Sequence, residues 1–287
     1  MDAFDLLAEE SGGDFEDILE NFEAYSRAVD HFECYWFPHT SKAMVKRNTR
    51  LAPGDPTPAP GAVAAPGEPS AQRRSKNPTP QGEVPHQSAA CRRSRLKAFA
   101  DDELLGNAAF AAIVRLGQAF PQVIPACNRF ATEAISHNRY RAPAHEVFVT
   151  PRRVRFHEME YSVPLETGPD AVRELERLIN RRDWRITFPL ELRSTAADDV
   201  ALSTGNGRES MYIAVHVPKK SDPTEYFPEC EAILRAAGGR PHWGKMNTLN
   251  REDFAALYPR FDEFCAYREQ VDPQWRFGSE YLQKVFG

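Results

Sequence analysis

The sequence predicts an α+β fold, because strand-like and helix-like segments follow one another in a defined order after residue 154. Three segments alternate apolar and polar residues with the period of a strand, and two others repeat apolar residues at helical spacing. With a short strand at 240–243 the order becomes β-α-β-β-α-β, the split ferredoxin-like pattern of an antiparallel sheet with both helices on one face. The three longer predicted strands are 154–163, 185–193 and 211–217.

The N-terminal part is predicted to contain one helix and one aromatic strand. Apolar residues recur at helical spacing over residues 14–29, and Asp14 can cap the start of this helix. Residues 31–37 (HFECYWF) are rich in aromatic residues and stop before Pro38, as a strand would. Additional helices are predicted over residues 101–116 and 123–135.

In the second half of the chain, caps and glycines indicate where the two helices begin and end. Asp170 is predicted to cap the first helix, and Pro223 to open the second. Gly238 and Gly239 are predicted to end the second helix. The residues expected to face inward are Val172, Leu175 and Ile179 in the first helix, and Phe227, Cys230 and Leu234 in the second.

Composition excludes several classes of protein. With 41% hydrophobic and 11% aromatic residues, a chain of 287 residues can bury a sizeable core. The longest apolar run, 108–114, is far shorter than the roughly 18–20 residues that span a bilayer, and the acidic start is unlike a signal peptide. The five cysteines are widely spaced, which favours reduced thiols. A cytoplasmic location is therefore expected.

A proline-rich, basic stretch divides the chain. Residues 51–90 contain nine prolines and four glycines and no aromatic residue, which is too little apolar surface to offset the entropy of ordering. Residues 73–97 contain seven basic residues and one acidic residue. Such a cluster suits nucleic acid or an anionic membrane, but no aromatic residue interleaves it to stack on bases. We therefore interpret it as a solvated linker and expect no nucleic acid partner, while peripheral membrane association stays open.

Strand alternation also predicts one polar surface. In 185–193 (RITFPLELR), Glu191 and Arg193 point to the face opposite the apolar residues, and Tyr212 and His216 do so in 211–217. If the two strands pair, these four side chains line one face within reach of a small polar ligand. The alternative is an ordinary solvated sheet face with a cross-strand salt bridge.

The segment GGRPHWGK, 238–245, predicts a rigid and unusual turn. Its glycines and proline bring His242 and Lys245 close together. The alternative is a structural corner anchored by Trp243. Other motifs are incomplete. HEMEY lacks the second histidine of a zinc-protease helix, and GNGRES lacks the third glycine and the lysine of a phosphate loop. The cysteines and histidines show no metal-ligand spacing. No metal site is therefore predicted.

Several of these segments resemble one family. FPLELR at 188–193, AADD at 196–199, LST at 202–204, YIAVH at 212–216 and RPHWGK at 240–245 resemble the C-terminal domain of D-arabinono-1,4-lactone oxidases. This family includes L-gulono-1,4-lactone oxidase and, more distantly, alditol oxidase, within the vanillyl-alcohol-oxidase flavoprotein superfamily. The resemblance covers nearly the whole chain except 51–90.

The resemblance implies a substrate domain, or cap domain, that sits on a separate N-terminal FAD-binding domain. It implies oxidation of the hydroxyl-bearing carbon of a sugar lactone, with hydride transfer to flavin N5. Glu191, Arg193 and Lys245 would be catalytic, while His216, His242 and Tyr212 would bind substrate. Lys245 and His242 would also lie on the flavin ring side.

No segment of the sequence resembles the FAD-binding domain, so the chain is expected to lack it and to need a separate FAD-binding chain. The expected division is a first part of the cap domain at 1–50, a disordered insert at 51–97, the main cap domain at 98–251 and a C-terminal segment at 252–287 that packs on an FAD domain. The alternatives are an inactive remnant or an interaction module without its own flavin, or a module that binds anions or nucleic acid.

Overall fold

The computed structural model describes residues 4–52, 107–149 and 153–287. It divides into two compact units, Met1–Arg155 and Phe156–Gly287. Residues 53–97 of the predicted insert, with its basic cluster, and residues 101–106 of a predicted helix lie outside the described residues. Among the helices that the structure does describe, none has the length and apolarity needed to cross a bilayer.

The first unit contains an antiparallel sheet with the strand order β4-β1-β3-β2. Its strands are β1 (Asp5–Asp14), β2 (His31–Trp36), β3 (Lys42–Leu51) and β4 (Asn138–Pro143). Its helices are α1 (Phe15–Glu20), α2 (Phe22–Arg27), α3 (Ala109–Ala119), α4 (Ile124–Glu133) and α5 (Ala144–Phe148).

The predicted helix at 14–29 is two helices. Asp14 caps the first as expected, because its carboxylate accepts a hydrogen bond of 3.1 Å from the Asp17 backbone N–H. Asn21 then leaves the helical conformation, and its side chain donates to the backbone and side chain of Asp17. This local hydrogen bonding competes with the helix and breaks it.

The second unit has the element order strand, helix, strand, strand, helix, strand, followed by three helices. Its antiparallel sheet has the strand order β6-β7-β5-β8. The strands are β5 (Phe156–Pro164), β6 (Leu190–Thr195), β7 (Ser210–Pro218) and β8 (Arg240–Pro241). The helices are α6 (Gly168–Arg182), α7 (Tyr226–Ala236), α8 (Arg251–Leu257), α9 (Phe261–Val271) and α10 (Glu280–Phe286).

Two predicted helix starts were wrong. Helix α6 begins at Gly168, so Asp170 lies within its first turn and pairs with Arg173 at 3.0 Å instead of capping. Proline near the start suits this earlier beginning, since its missing N–H costs nothing there. Helix α7 begins at Tyr226 rather than at Pro223. The predicted strand at 185–193 is ordered as a strand only from Leu190, directly after a proline.

The two faces of this sheet differ in chemistry. One face is apolar and packs on α6 and α7, whose predicted inward residues are buried. The buried residues of that face are Met159, Tyr161, Val163, Leu190, Leu192, Met211, Ile213, Val215 and Val217. Because side chains on a strand alternate, the other face receives the polar residues between them.

Gly239→Ala is expected to lower the free energy of unfolding by about 2 kcal/mol, because the added methyl group overpacks a filled site. A Cβ at Gly239 would lie 2.5 Å from the Leu234 carbonyl oxygen and 3.0 Å from Tyr161 Cδ1. Gly12→Ala is the matched control, since its nearest contact, Ile135, lies at an ordinary 3.7 Å. Urea denaturation of both variants measures the difference; equal losses would contradict the packing argument.

Candidate active site

The polar face of the second unit brings together the four residues predicted from strand alternation. Strand register places Arg193 opposite Tyr212 and Glu191 opposite Ala214. On the other side of β7, the same face continues onto β5, where Glu158 lies opposite His216. The residues of this polar face are Glu158, Glu160, Ser162, Glu191, Arg193, Tyr212, Ala214 and His216.

Glu191 and Arg193 form an ion pair on β6. The Arg193 guanidinium lies 2.5 Å from Glu191 Oε1, and the Glu191 side chain is 2% exposed whereas that of Arg193 is 39% exposed. The buried carboxylate therefore holds the guanidinium in place, on a side chain that is partly exposed.

Glu158 holds a second cation. Its carboxylate accepts a hydrogen bond from Lys245 Nζ, and its other oxygen lies 3.3 Å from His216 Nε2. The opposite ring nitrogen of His216 donates to the Pro189 carbonyl at 3.2 Å. Both His216 nitrogens thus face oxygen atoms, which fixes the ring in place.

The pKa of Glu158 reflects these contacts. Burial of the carboxyl raises the pKa, but the contacts with His216 and Lys245 outweigh burial and lower it to about 2 from an ordinary 4.5. Glu158 is therefore ionised at neutral pH and fixes the ammonium of Lys245 at the edge of the polar face.

The turn after β8 explains why Lys245 reaches this face. The His242 N–H donates to the Glu160 carbonyl at 2.9 Å, and the Met246 N–H donates to the Glu158 carbonyl at 3.0 Å, so the turn runs along the edge of β5. His242 Nδ1 accepts a hydrogen bond of 3.0 Å from the Gly244 N–H, which leaves the ring proton on Nε2.

Trp243 anchors the same turn. Its indole N–H donates to the Leu202 carbonyl at 2.8 Å, and its ring stacks on Phe254 with centroids 4.8 Å apart. The turn is therefore a structural corner anchored by Trp243, and the same corner positions Lys245.

Tyr212 is tied to the loop that carries the LST segment. Its hydroxyl shares a hydrogen bond with Thr204 Oγ1. The Thr204 carbonyl in turn accepts hydrogen bonds from Ser162 at 3.2 Å and from the buried guanidinium of Arg240 at 3.3 Å. Tyr212 thus has a fixed position next to Arg193 on the polar face.

The sequence analysis did not assign two residues of this face, Glu158 and Glu160, to the site. They lie in HEMEY, which belongs to the predicted strand 154–163 and does not complete a metal motif. The signal was present, because the period of the predicted strand places both on the side opposite Met159 and Tyr161.

The arrangement suits an uncharged, oxygen-rich ligand. Arg193 and Lys245 are donors and their carboxylate partners are acceptors, so a ligand with several hydroxyl groups could hydrogen-bond to both kinds of group. Among the residues that the structure describes, no group of three or more histidine, cysteine, aspartate or glutamate side chains could hold a metal ion.

Comparison with known proteins identifies a matching family model and several relatives. The family model described as D-arabinono-1,4-lactone oxidase matches residues 1–285. L-gulono-1,4-lactone dehydrogenase of Mycobacterium tuberculosis is 33% identical over 269 residues, which cover 94% of this chain and 54% of that protein. L-gulonolactone oxidase of Bos taurus is 35% identical over 148 residues, covering 50% of this chain and 34% of that protein.

Among solved structures, cholesterol oxidase from Brevibacterium sterolicum has a similar fold, with a TM-score of 0.67 at 14% identity. That match covers 99% of this chain and 60% of the oxidase, so the chain spans little more than half the length of the proteins that it resembles. With its family model matched almost from end to end, the chain belongs to the D-arabinono-1,4-lactone oxidase family.

Proposed function

We propose that this chain supplies the substrate-binding part of an FAD-dependent oxidoreductase that oxidises a hydroxyl-bearing carbon of an aldonolactone. The observation that carries the proposal is the polar face, where Glu191 holds Arg193 and Glu158 holds Lys245. The names of the relatives, which include a lactone dehydrogenase and a lactone oxidase, support the same substrate class.

Each residue of the site has a role that follows from its position. Arg193 and Lys245 donate hydrogen bonds to ligand oxygens and favour the negative charge that develops when a substrate hydroxyl loses its proton. Glu191 orients Arg193 and accepts hydrogen bonds from ligand hydroxyls. Tyr212, His216 and His242 shape the rest of the binding face.

The residues present suit a flavin on one side of the ligand. Lys245 uses one ammonium donor on Glu158, which leaves donors for a second oxygen-bearing or nitrogen-bearing group. His242, on the same turn, presents Nε2–H as a further donor. When bound, FAD would supply the acceptor for the hydride of the oxidised carbon.

The architecture is consistent with a cap domain. We propose that the second unit is ferredoxin-like, supported by its β6-β7-β5-β8 strand order and by α6 and α7 packed on each other.

The division at 50, 97 and 251 stays a prediction, as does packing of 252–287 on an FAD domain. In the structure, α8 and α10 pack Phe254 and Phe286 against Trp243. Three further expectations stay predictions: a cytoplasmic location, peripheral membrane association and a separate FAD-binding chain.

Complementation tests this proposal. The chain is co-expressed with the part of the Mycobacterium tuberculosis relative that lies outside the match, and flavin absorbance is followed after addition of L-gulono-1,4-lactone or D-arabinono-1,4-lactone. Loss of flavin absorbance that depends on both halves supports an enzyme. A stable, flavin-loaded complex that is never reduced by either lactone would favour the inactive alternative.

Arg193→Ala and Lys245→Met are each expected to lower the rate of flavin reduction in this complex by about ten- to a hundredfold, since each removes a charged donor to the reacting ligand. Arg177→Ala and Lys219→Met are the matched controls. Arg177 lies in an exposed pair with Glu174 and Lys219 is exposed, so both controls should retain wild-type rates. Unchanged turnover in the two site variants would show that the site is assigned wrongly.

A further inference from the structure

Glu160 is the carboxyl group that the proposed function leaves unused. The residue is only 4% exposed, and among the described residues its carboxyl forms no hydrogen bond and no ion pair. Met159 and Tyr161, its neighbours along β5, are buried on the apolar face, so Glu160 points to the polar one.

The cations that face Glu160 are already paired with other carboxylates. Arg193 lies against Glu191, and Lys245 lies against Glu158. The titratable and charged groups around Glu160 are Glu158 from its own strand, Glu191 and Arg193 from β6, Tyr212 and His216 from β7, and His242 and Lys245 from the turn after β8. A negative charge on Glu160 would therefore be a third carboxylate beside two cations.

Burial raises the pKa of Glu160 above its ordinary value, and the charge of Glu158 adds to this effect, while Arg193, His242 and Lys245 offset only part of it. The carboxyl group thus keeps its proton at pH values where an exposed glutamate is ionised. In that form it offers one O–H donor and one carbonyl acceptor, neither of which has a partner in the described structure.

We infer that Glu160 binds the ligand as a neutral carboxylic acid, donating a hydrogen bond to an oxygen of the lactone that Arg193 and Lys245 hold. This inference rests on the proposed function for the class of ligand. The lactone supplies the acceptor that the buried carboxyl lacks. At pH values where Glu160 is ionised in the free chain, binding of the lactone therefore requires that Glu160 takes up a proton. Affinity should therefore fall as pH rises through the pKa of Glu160 in the free chain, by up to about tenfold per pH unit.

Calorimetric titration of the full chain with L-gulono-1,4-lactone and with D-arabinono-1,4-lactone tests this, from about pH 5 to about pH 8. Glu160→Gln keeps a donor at every pH, so its affinity should stay within about threefold of the acidic wild type and lose its pH dependence. Glu160→Leu should bind about tenfold more weakly at low pH. Glu174→Gln, on an exposed side chain of α6, should keep the wild-type profile.

A second measurement does not depend on the ligand. Infrared difference spectra of wild type minus Glu160→Gln should show the C=O band of a protonated acid that disappears only above the ordinary glutamate pKa of 4.5. A band that titrates at or below that value overturns the inference. So does wild-type binding whose pH dependence survives in Glu160→Gln, although lactone binding would then still support the proposed function. Absence of binding at every pH overturns this inference, while the complementation experiment decides the proposed function separately.

Discussion

Glu158→Gln is expected to lower the free energy of unfolding at neutral pH by about 3 kcal/mol. Burial raises the pKa of this carboxyl, yet His216 and Lys245 lower it to about 2 from 4.5, and that difference is free energy stored in the folded state. The substitution removes the charge and leaves the ammonium of Lys245 beside a neutral amide. Because Lys245 belongs to the proposed site, flavin reduction in the complemented enzyme should fall as well.

The pH dependence of the stability difference shows whether the charge of Glu158 is its cause. A carboxyl whose pKa is lower in the folded chain stabilises it fully above about 4.5, and the contribution disappears as pH falls towards about 2. Urea denaturation should therefore show a gap between wild type and Glu158→Gln that is constant near neutral pH and narrows in acid. Glu174→Gln removes a carboxylate from an exposed pair with Arg177 and should change stability by no more than about 0.5 kcal/mol. A gap that persists unchanged in acid would refute the electrostatic explanation.

The strands of the second unit could be predicted because their alternation is strong. In β7 one face is wholly apolar, and in β5 Met159, Tyr161 and Val163 share one buried face. That pattern is visible without knowing the partner strand. Strands β1, β3 and β4 were not predicted. Residues of β1 pair with β3 and β4 through opposite charges, as in Glu9 with Arg139 and Glu10 with Lys46. Such pairing depends on which segments meet, and no local pattern reveals it.

Some residues of the site could also be predicted from the sequence, while one contact could not. Glu191, Arg193, Tyr212 and His216 could be grouped from alternation in two neighbouring strands, and the structure places them on one face. The partner of Lys245 could not be predicted, because it depends on how the turn after β8 runs along β5. The path of this turn along β5 depends on tertiary contacts. The family resemblance therefore indicated Lys245, but only the structure identifies Glu158 as its partner.

Glu231→Leu is expected to lower the free energy of unfolding by about 3 kcal/mol. Glu231 is buried on α7, and its carboxylate accepts hydrogen bonds from the Tyr161 hydroxyl, from Thr248 Oγ1 and, at 2.9 Å, from the Thr248 N–H. Leucine fills the volume but leaves the buried Tyr161 hydroxyl without an acceptor, which costs about 1–3 kcal/mol. Thr248 is exposed, so its two donors turn to water and their hydrogen bonds to the carboxylate add only about 1 kcal/mol. Urea denaturation measures the loss, with Glu174→Leu on an exposed position of α6 as the matched control.

A double-mutant cycle separates the hydrogen bonds of Glu231 from simple packing. Thr248→Val removes the hydroxyl donor and should cost about 1 kcal/mol in the wild type, but almost nothing in the Glu231→Leu background, where that hydroxyl has no partner. Additive losses would show that Glu231 acts through volume alone. Because Thr248 follows Lys245 by three residues, the network also fixes the segment that leaves the site. Loss of Glu231 should therefore weaken lactone binding even though Glu231 lies on the opposite, apolar side of the sheet with Tyr161.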